Sequence, residues 1–162
     1  FLIDFLTPDE YWHFVGQTYD LDEATVNERL AGFEDFYVDE PIGETTKYIR
    51  DLSTGNKNKA GLVAALLPEP DLLVFDEPFA SLDPRSQIQL KEILQARQGE
   101  TTMLVSSHDL GHVTDVSDRI AILEGGEIVR DEPTDPDTLE GLTTYFAEAI
   151  RPKETEPADA GA

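Results

Sequence analysis

The chain has no cysteine, and its 162 residues include a single methionine and a single tryptophan. Without cysteine it has no disulfides and no thiolate metal sites, which is compatible with the cytosol. Basic side chains are scarce, with 12 Lys and Arg against 34 Asp and Glu. This imbalance argues against nucleic acid or an anionic membrane surface as a direct partner. No apolar stretch reaches the ~18 residues that a membrane-spanning helix requires.

Acidic side chains are in large excess, and the formal net charge is −22. Such self-repulsion destabilises a compact chain at low ionic strength, and dissolved salt screens it. We therefore expect a halophilic cytoplasm to be the natural setting of the protein. A disordered acidic chain is the alternative. It is disfavoured because 40% of the residues are hydrophobic and form the blocks that a single folded domain needs.

The first 67 residues are predicted to be mainly helical. The run Thr7-Pro8-Asp9-Glu10 is typical of a helix start with a capping box and proline in the first turn. A second helix is expected over residues 23–32 and a loop over residues 37–51. Ser53 then caps a third helix, which Pro68 ends.

The remaining residues alternate between strand and helix patterns, which predicts an α/β fold with a parallel sheet. The expected elements are a strand at 71–75, a helix at 83–97, a strand at 101–106, a short helix from 110, a hairpin at 119–130 and a helix at 134–150. Residues 151–162 are rich in Pro, Ala and acids, and we expect them to form a disordered tail.

The most informative run is LLVFDEPFASLD, residues 72–83. Four apolar residues predict a strand buried on both faces, as in parallel sheets. Asp76 and Glu77 follow at its carboxyl end, where open α/β sheets bind their ligands. One carboxylate there suits a metal ion on phosphate, and its neighbour suits a base that orients water. A buried strand that merely ends in an acidic turn is the alternative interpretation of this pair.

Three further short motifs accompany this run. Leu52-Ser53-Thr54-Gly55 precedes it, Ser81-Leu82-Asp83 follows the acids, and Ser107-His108-Asp109 follows the next apolar run. The order and spacing of these motifs resemble those of the ATP-binding cassette (ABC) ATPases. In that family they correspond to the signature loop, the Walker B strand with its catalytic Glu, the D-loop and the switch His. The resemblance extends from about residue 6 to about residue 129.

The resemblance implies a partial P-loop NTPase, with a RecA-like parallel-sheet core and a helical subdomain. The family carries a P-loop of the form GxxxxGK[ST] near its amino terminus, and no such motif occurs in this sequence. We therefore expect the amino-terminal portion of the domain to be absent. The implied divisions are residues 1–67 for the helical subdomain with its signature loop, 68–150 for the carboxyl-terminal half of the core, and 151–162 for the tail.

By resemblance, Asp76 binds Mg²⁺, Glu77 is the general base that polarises the attacking water, and His108 senses the γ-phosphate of ATP. Without its neighbouring motifs, His108 would be assigned a structural or surface role. Ser53 and Gly55 would contact the γ-phosphate held by the opposite protomer of a head-to-tail dimer. Their loop departs from the usual LSGGQ pattern, because threonine and asparagine replace a glycine and the glutamine.

Asp83, in the D-loop, would meet the partner subunit by the same resemblance. Its place before Pro84 also predicts that it caps a helix, and that role alone could explain the residue.

The resemblance implies an ATP-binding and ATP-hydrolysing subunit of an exporter-like ABC transporter. Its partners would be a second nucleotide-binding domain and a transmembrane permease, which would hold it on the cytoplasmic face of the cell membrane. Without a P-loop, the chain alone is expected to be inactive. The alternatives are a soluble ABC ATPase of the repair or translation type, or a truncated, non-catalytic remnant that supplies only the trans half of a composite ATP site.

Overall fold

The computed structural model of the chain describes residues 2–149 and contains six α-helices and four β-strands in that range. The helices are α1 Pro8–Thr18, α2 Glu23–Ala31, α3 Thr54–Leu66, α4 Pro84–Gln95, α5 Leu110–Val116 and α6 Thr138–Ala149. The strands are β1 Leu72–Asp76, β2 Thr102–Ser106, β3 Arg119–Glu124 and β4 Glu127–Pro133, and a 3-10 turn covers Ile49–Asp51. The tail predicted over residues 151–162 lies outside the described residues.

Helix α1 begins as the sequence predicts. The hydroxyl of Thr7 accepts a hydrogen bond from the backbone N–H of Glu10 at 3.3 Å, and the Glu10 carboxylate accepts one from the backbone N–H of Thr7 at 2.9 Å. These two bonds satisfy donors that the helix itself leaves unpaired. The capping box and the proline in the first turn are therefore confirmed.

Over the described residues the chain divides into two compact units, residues 2–108 and residues 109–149. The core of the first unit includes Trp12, whose indole N–H donates to the carbonyl of Ala60 at 2.9 Å. The ring of Tyr37 meets Trp12 edge-on, with centroids 5.0 Å apart. Helices α1 to α4 and the sheet β1–β2 all belong to this unit. The division expected at residue 67 remains a prediction.

Strands β1 and β2 form a parallel pair in which Leu72 lies opposite Thr102 and Asp76 lies opposite Ser106. Side chains alternate along β1, so that Leu73 and Phe75 are buried while Leu72 and Val74 are exposed. The prediction that this strand is buried on both faces is therefore wrong. Within the described residues the sheet has two strands, and one of its faces lacks a covering layer.

The second unit contains the antiparallel hairpin β3–β4, which turns through Gly125 and Gly126. Both glycines have positive φ angles, 59° and 90°, as tight hairpin turns demand. The predicted hairpin is confirmed. Helix α6 starts later than the predicted residue 134. The hydroxyl and backbone of Thr138 bond to Asp135 in a turn before the helix begins.

None of the helices in residues 2–149 is long and apolar enough to span a membrane.

Candidate functional site

The predicted site residues of the two strands come together at one edge of the parallel sheet. Asp76 ends β1, Ser106 ends β2, and the two residues are register partners. Parallel strands in register finish at the same edge, so the residues that follow each strand become neighbours. The structure accordingly places Glu77 against Ser107 and His108.

Glu77 is held by three hydrogen bonds from the segment after β2. One carboxylate oxygen accepts from the backbone N–H of His108 at 2.9 Å and lies 2.7 Å from the same residue's Nδ1. The other oxygen accepts from the hydroxyl of Ser107 at 3.2 Å. The hydrogen bond from the His108 side chain is the main cause of the lowered pKa of Glu77, and the Ser107 bond adds to it. Glu77 is therefore kept ionised and oriented.

The backbone at Glu77 is also constrained. Its N–H donates to the carbonyl of Ser106 at 2.9 Å, which extends the pairing one residue past β1. Its φ angle is +49°, and that of Ser81 in the following turn is +63°. This left-handed region costs a non-glycine residue about 1–2 kcal/mol, and such positions cluster at functional sites.

Asp76 has a partner that the sequence analysis missed. The hydroxyl of Ser106 donates to its carboxylate at 2.5 Å. Both side chains extend from the exposed face of the sheet, because register partners in a parallel pair project to the same side. Ser107 was missed as well. The signal for both was the pair of hydroxyl residues directly before His108, but only the strand register assigns each serine to a particular acid.

One exposed carboxylate, Asp76, could help to hold a magnesium ion whose other ligands are waters and phosphate oxygens. The described residues contain no group of three or more His, Cys, Asp or Glu side chains that could hold a metal ion by themselves. Mg²⁺ keeps several waters and is typically bound by one or two carboxylates together with substrate phosphates. Asp76 is an exposed carboxylate of this kind.

The first turns of α3 pack on the turn that follows the two acids. The side-chain amide of Asn58 donates to the carbonyls of Pro78 and Ala80, at 3.1 and 2.8 Å. A Cβ atom added to Gly55 would lie 2.7 Å from the carbonyl oxygen of Ser81. A depression beside this contact is lined by residues from both segments, among them Thr54, Lys57, Asn58, Asp76 and Glu77.

Ser53 and Asp83 both cap helices. The Ser53 hydroxyl accepts from the backbone N–H of Asn56 at 3.2 Å and begins α3. The Asp83 carboxylate accepts from the backbone and hydroxyl of Ser86 and begins α4. Asp83 also lies 3.5 Å from the buried ammonium of Lys59. The Ser86 hydroxyl, the Ser86 N–H and Lys59 together lower the pKa of Asp83 to about 2.

The known proteins to which this chain is similar include several ATP-binding proteins of ABC transporters. Residues 20–113 match the family described as "AAA domain, putative AbiEii toxin, Type IV TA system". The uncharacterized ABC transporter ATP-binding protein YcbN of Bacillus subtilis is 32% identical over 111 residues, which cover 67% of this chain and 36% of that protein. Methionine import ATP-binding protein MetN 1 of Rhodopseudomonas palustris is 38% identical over 90 residues, covering 54% and 24%. The chain thus spans little more than a third of the first of these relatives and about a quarter of the second.

Two solved structures share the fold. An ATP-binding subunit of an ABC transporter superposes with a TM-score of 0.79 at 26% identity, covering 93% of this chain and 65% of that one. A dimeric post-hydrolysis state of an ATP-binding cassette, bound to ADP and Pi, gives a TM-score of 0.70 at 22% identity, covering 83% and 59%. These matches confirm the predicted fold class.

Proposed function

Because the chain belongs to the family of ABC transporter ATP-binding proteins and has a partial P-loop NTPase fold, we propose that it forms part of a subunit that binds and hydrolyses ATP to drive transport. The geometry around Glu77 is the observation that supports this proposal most directly. Glu77 leaves the end of β1 beside Asp76, and its carboxylate is oriented by Ser107 and His108 from the end of β2. This geometry supports the proposal that Glu77 polarises water next to a phosphate group.

In the proposed mechanism Asp76 would bind Mg²⁺, commonly through water, and the ion would supply positive charge to neutralise the phosphate oxygens. Ser106 orients the Asp76 carboxylate through its 2.5 Å hydrogen bond. Glu77 accepts the proton of the attacking water at its carboxylate. His108 in this structure lowers the pKa of Glu77 and so weakens it as a base. A γ-phosphate that draws the His108 side chain away would restore the basicity of Glu77 when substrate is present.

The remaining predicted residues belong to the proposed composite site. Ser53 and Gly55 lie at the amino-terminal end of α3, where free backbone N–H groups favour anions. In a head-to-tail dimer they would contact the phosphate bound by the partner domain, and Asp83 would lie at the dimer contact. A transmembrane permease would couple the dimer to the inner face of the membrane.

The comparisons do not support the expectation that the transporter is exporter-like. Named relatives include a methionine import protein and a probable anion import protein of Haloferax volcanii, the latter 35% identical over 98 residues. The exporter-like assignment therefore stays a prediction.

Replacement of Glu77 by Gln tests the proposal. The experiment uses a completed domain, in which an amino-terminal segment that carries a P-loop motif of the ABC ATPase type is fused to this chain. We expect ATP turnover to fall ~10²- to 10⁴-fold, the usual effect of losing a general base. Nucleotide binding should persist, because the amide keeps the size of the side chain but cannot accept the proton. Turnover is measured by phosphate release and binding by calorimetry.

Two controls accompany this variant. Glu34→Gln removes the same charge at an exposed position and should leave turnover unchanged. The chain without the added segment should bind no Mg-ATP with micromolar affinity, since it has no P-loop motif. Wild-type turnover in Glu77→Gln would contradict the assignment of Glu77 as base. Loss of ATP binding would mean that Glu77 holds the metal, and the roles of Asp76 and Glu77 would have to be exchanged.

A further inference from the structure

The turn that follows Glu77 has an unfavourable backbone conformation. Glu77 itself has a φ of +49°, and Ser81 at the other end of the turn has a φ of +63°. Pro78 adds to the cost, because a residue before proline prefers extended backbone. Non-glycine residues keep such conformations only where the surrounding structure over-determines them. Contacts from other elements must therefore hold this turn in place.

Two side-chain amides supply such contacts. The amide of Asn58 on α3 donates to the carbonyls of Pro78 and Ala80, at 3.1 and 2.8 Å. The amide of Gln87 on α4 donates to the carbonyl of Phe79 between them, at 3.3 Å. Three successive carbonyls of the turn are thus held from two helices, and both Asn58 bonds are shorter than the Gln87 bond.

The chemistry of the contact requires an amide at position 58. The asparagine NH₂ group carries two N–H donors, and two carbonyls of the turn accept from it. Leucine has a similar branched shape but no donor, and an ionised aspartate is an acceptor only. The contact therefore depends on hydrogen bonding and not only on the space that the side chain fills.

The turn is joined directly to Glu77. The backbone N–H of Ala80 donates to the carbonyl of Glu77 at 3.0 Å, while the carbonyl of Ala80 accepts from Asn58. The carboxylate of Glu77 in turn accepts from the backbone N–H of His108 at 2.9 Å and from the hydroxyl of Ser107 at 3.2 Å. A displacement of the turn would carry the Glu77 backbone with it and disturb both of these contacts.

We propose that Asn58 is a positioning residue for Glu77. Its side-chain amide holds residues 78–80 and so fixes the direction from which the Glu77 carboxylate reaches the segment after β2. A packing contact that stabilises the fold without affecting Glu77 in particular is the alternative. The role in catalysis rests on the proposed function, whereas the effect on the carboxylate does not and is measured without ATP.

The first test measures amide hydrogen exchange by NMR in the isolated chain in 2 M KCl. Asn58→Ala removes the two donors and keeps α3 helical, since alanine has the higher helix propensity. Exchange of the His108 backbone N–H should become about tenfold faster, because the turn loses two hydrogen bonds and opens more often. Asn58→Leu should have the same effect, since it also lacks the donors.

Gln89→Ala is the matched control for this test. The Gln89 amide, on α4, donates to the carbonyl of Asp35 in the segment after α2, at 2.8 Å. The control therefore removes the same kind of bond between two elements of the same unit without touching the turn after Glu77. It should leave the exchange of the His108 N–H unchanged.

The second test measures steady-state turnover in the completed domain defined above. In Asn58→Ala, kcat should fall ~10- to 100-fold, because a displaced general base loses its alignment with the attacking water. The KM for ATP should stay within about twofold of the wild type, since Glu77 acts in the transition state and not in binding. Gln89→Ala should retain the kcat and KM of the wild type.

Each other outcome has a definite meaning. Unchanged exchange at His108 in either Asn58 variant, or an increase that extends equally over the amides of α4, would overturn the proposal. Failure of both variants to fold would do the same, because the contact would then support the fold as a whole. A wild-type kcat in Asn58→Ala would show that Asn58 does not position Glu77 for catalysis. If no form of the completed domain hydrolyses ATP while the exchange results hold, the proposed function is contradicted and the link from Asn58 to Glu77 stands.

Discussion

Gly55 has one role that is proposed and one that the packing of α3 shows. We propose that it contacts a phosphate at the start of α3, and its missing side chain lets the helix contact the turn after Glu77. The limiting distance is the 2.7 Å between an added Cβ and the carbonyl oxygen of Ser81. That oxygen belongs to the backbone, and Ser81 already has a φ of +63°. The turn therefore has little freedom to move away.

We predict that Gly55→Ala destabilises the chain by about 1–3 kcal/mol, the usual effect of forcing an extra carbon into a packed contact. Gly61→Ala is the matched control in the same helix. A Cβ there would lie 3.5 Å from Leu2 Cδ2, an ordinary contact. Alanine should therefore stabilise α3 by about 0.5–1 kcal/mol through its better helix propensity. Urea denaturation of both variants gives the comparison. Equal stabilisation by the two alanines would show that the contact between α3 and Ser81 does not limit this position.

The principal site residues could be predicted because each follows an apolar run. Asp76, Glu77 and His108 stand at strand ends, and parallel pairing then brings them together without any knowledge of side-chain packing. Ser106 and Ser107 could not be assigned, because hydroxyl residues are common and only the register shows which acid each one reaches. The strained backbone of Glu77 was also invisible in the sequence, since glutamate shows no preference for positive φ.

At the scale of secondary-structure elements, Asp83 connects two helices. It caps α4 through Ser86 and lies 3.5 Å from Lys59 of α3, whose ammonium is buried near the ring of Phe36. The helix start was predictable from the Asp-Pro pair. The ion pair was not, because nothing in the pattern of α3 marks Lys59 as buried. Local signals predict where helices begin, whereas contacts between helices depend on packing.

The cap makes stability depend on pH in a predictable direction. The folded-state pKa of Asp83 is lowered from 3.8 to about 2. The ionised carboxylate therefore stabilises the fold above pH ~4, and this contribution is lost as pH falls from ~4 to ~2. Asp83→Asn should melt at a lower temperature than the wild type above pH 4, and the difference should shrink towards pH 2. Thermal melting of both proteins across this range provides the measurement.

The control for that series is Asp20→Asn, at an exposed position outside the helices. The difference in melting temperature between this variant and the wild type should not shrink between pH 4 and pH 2. If the difference in melting temperature between Asp83→Asn and the wild type stays constant from pH 5 to pH 2, the charge of Asp83 adds nothing to its role as a helix cap.

At the scale of the whole molecule, some of the acidic side chains accept hydrogen bonds that stabilise the fold. Asp9 accepts hydrogen bonds from the backbone of Gly43 and from the backbone and hydroxyl of Thr45. Glu40 accepts three more from Thr46 and Lys47. The Asp9 bonds fasten the loop between α2 and α3 onto α1, and the Glu40 bonds close a turn within that loop. Such acids stabilise the fold locally, although their charges still add to the net repulsion of the chain.

The final prediction concerns that repulsion. With −22 formal charges the folded chain should be more stable in molar KCl than in dilute buffer, because the Debye length shrinks from ~10 Å at 0.1 M to ~3 Å at 1 M. The unfolded chain is more expanded and gains less from screening. The melting temperature should therefore rise between 0.1 and 2 M KCl.

The triple variant Glu28→Gln, Glu34→Gln, Glu44→Gln removes three exposed charges. It should show a higher melting temperature than the wild type at 0.1 M KCl and a smaller rise with salt. A melting temperature that does not increase with KCl, or a triple variant with the wild-type salt response, would remove the argument for a halophilic setting.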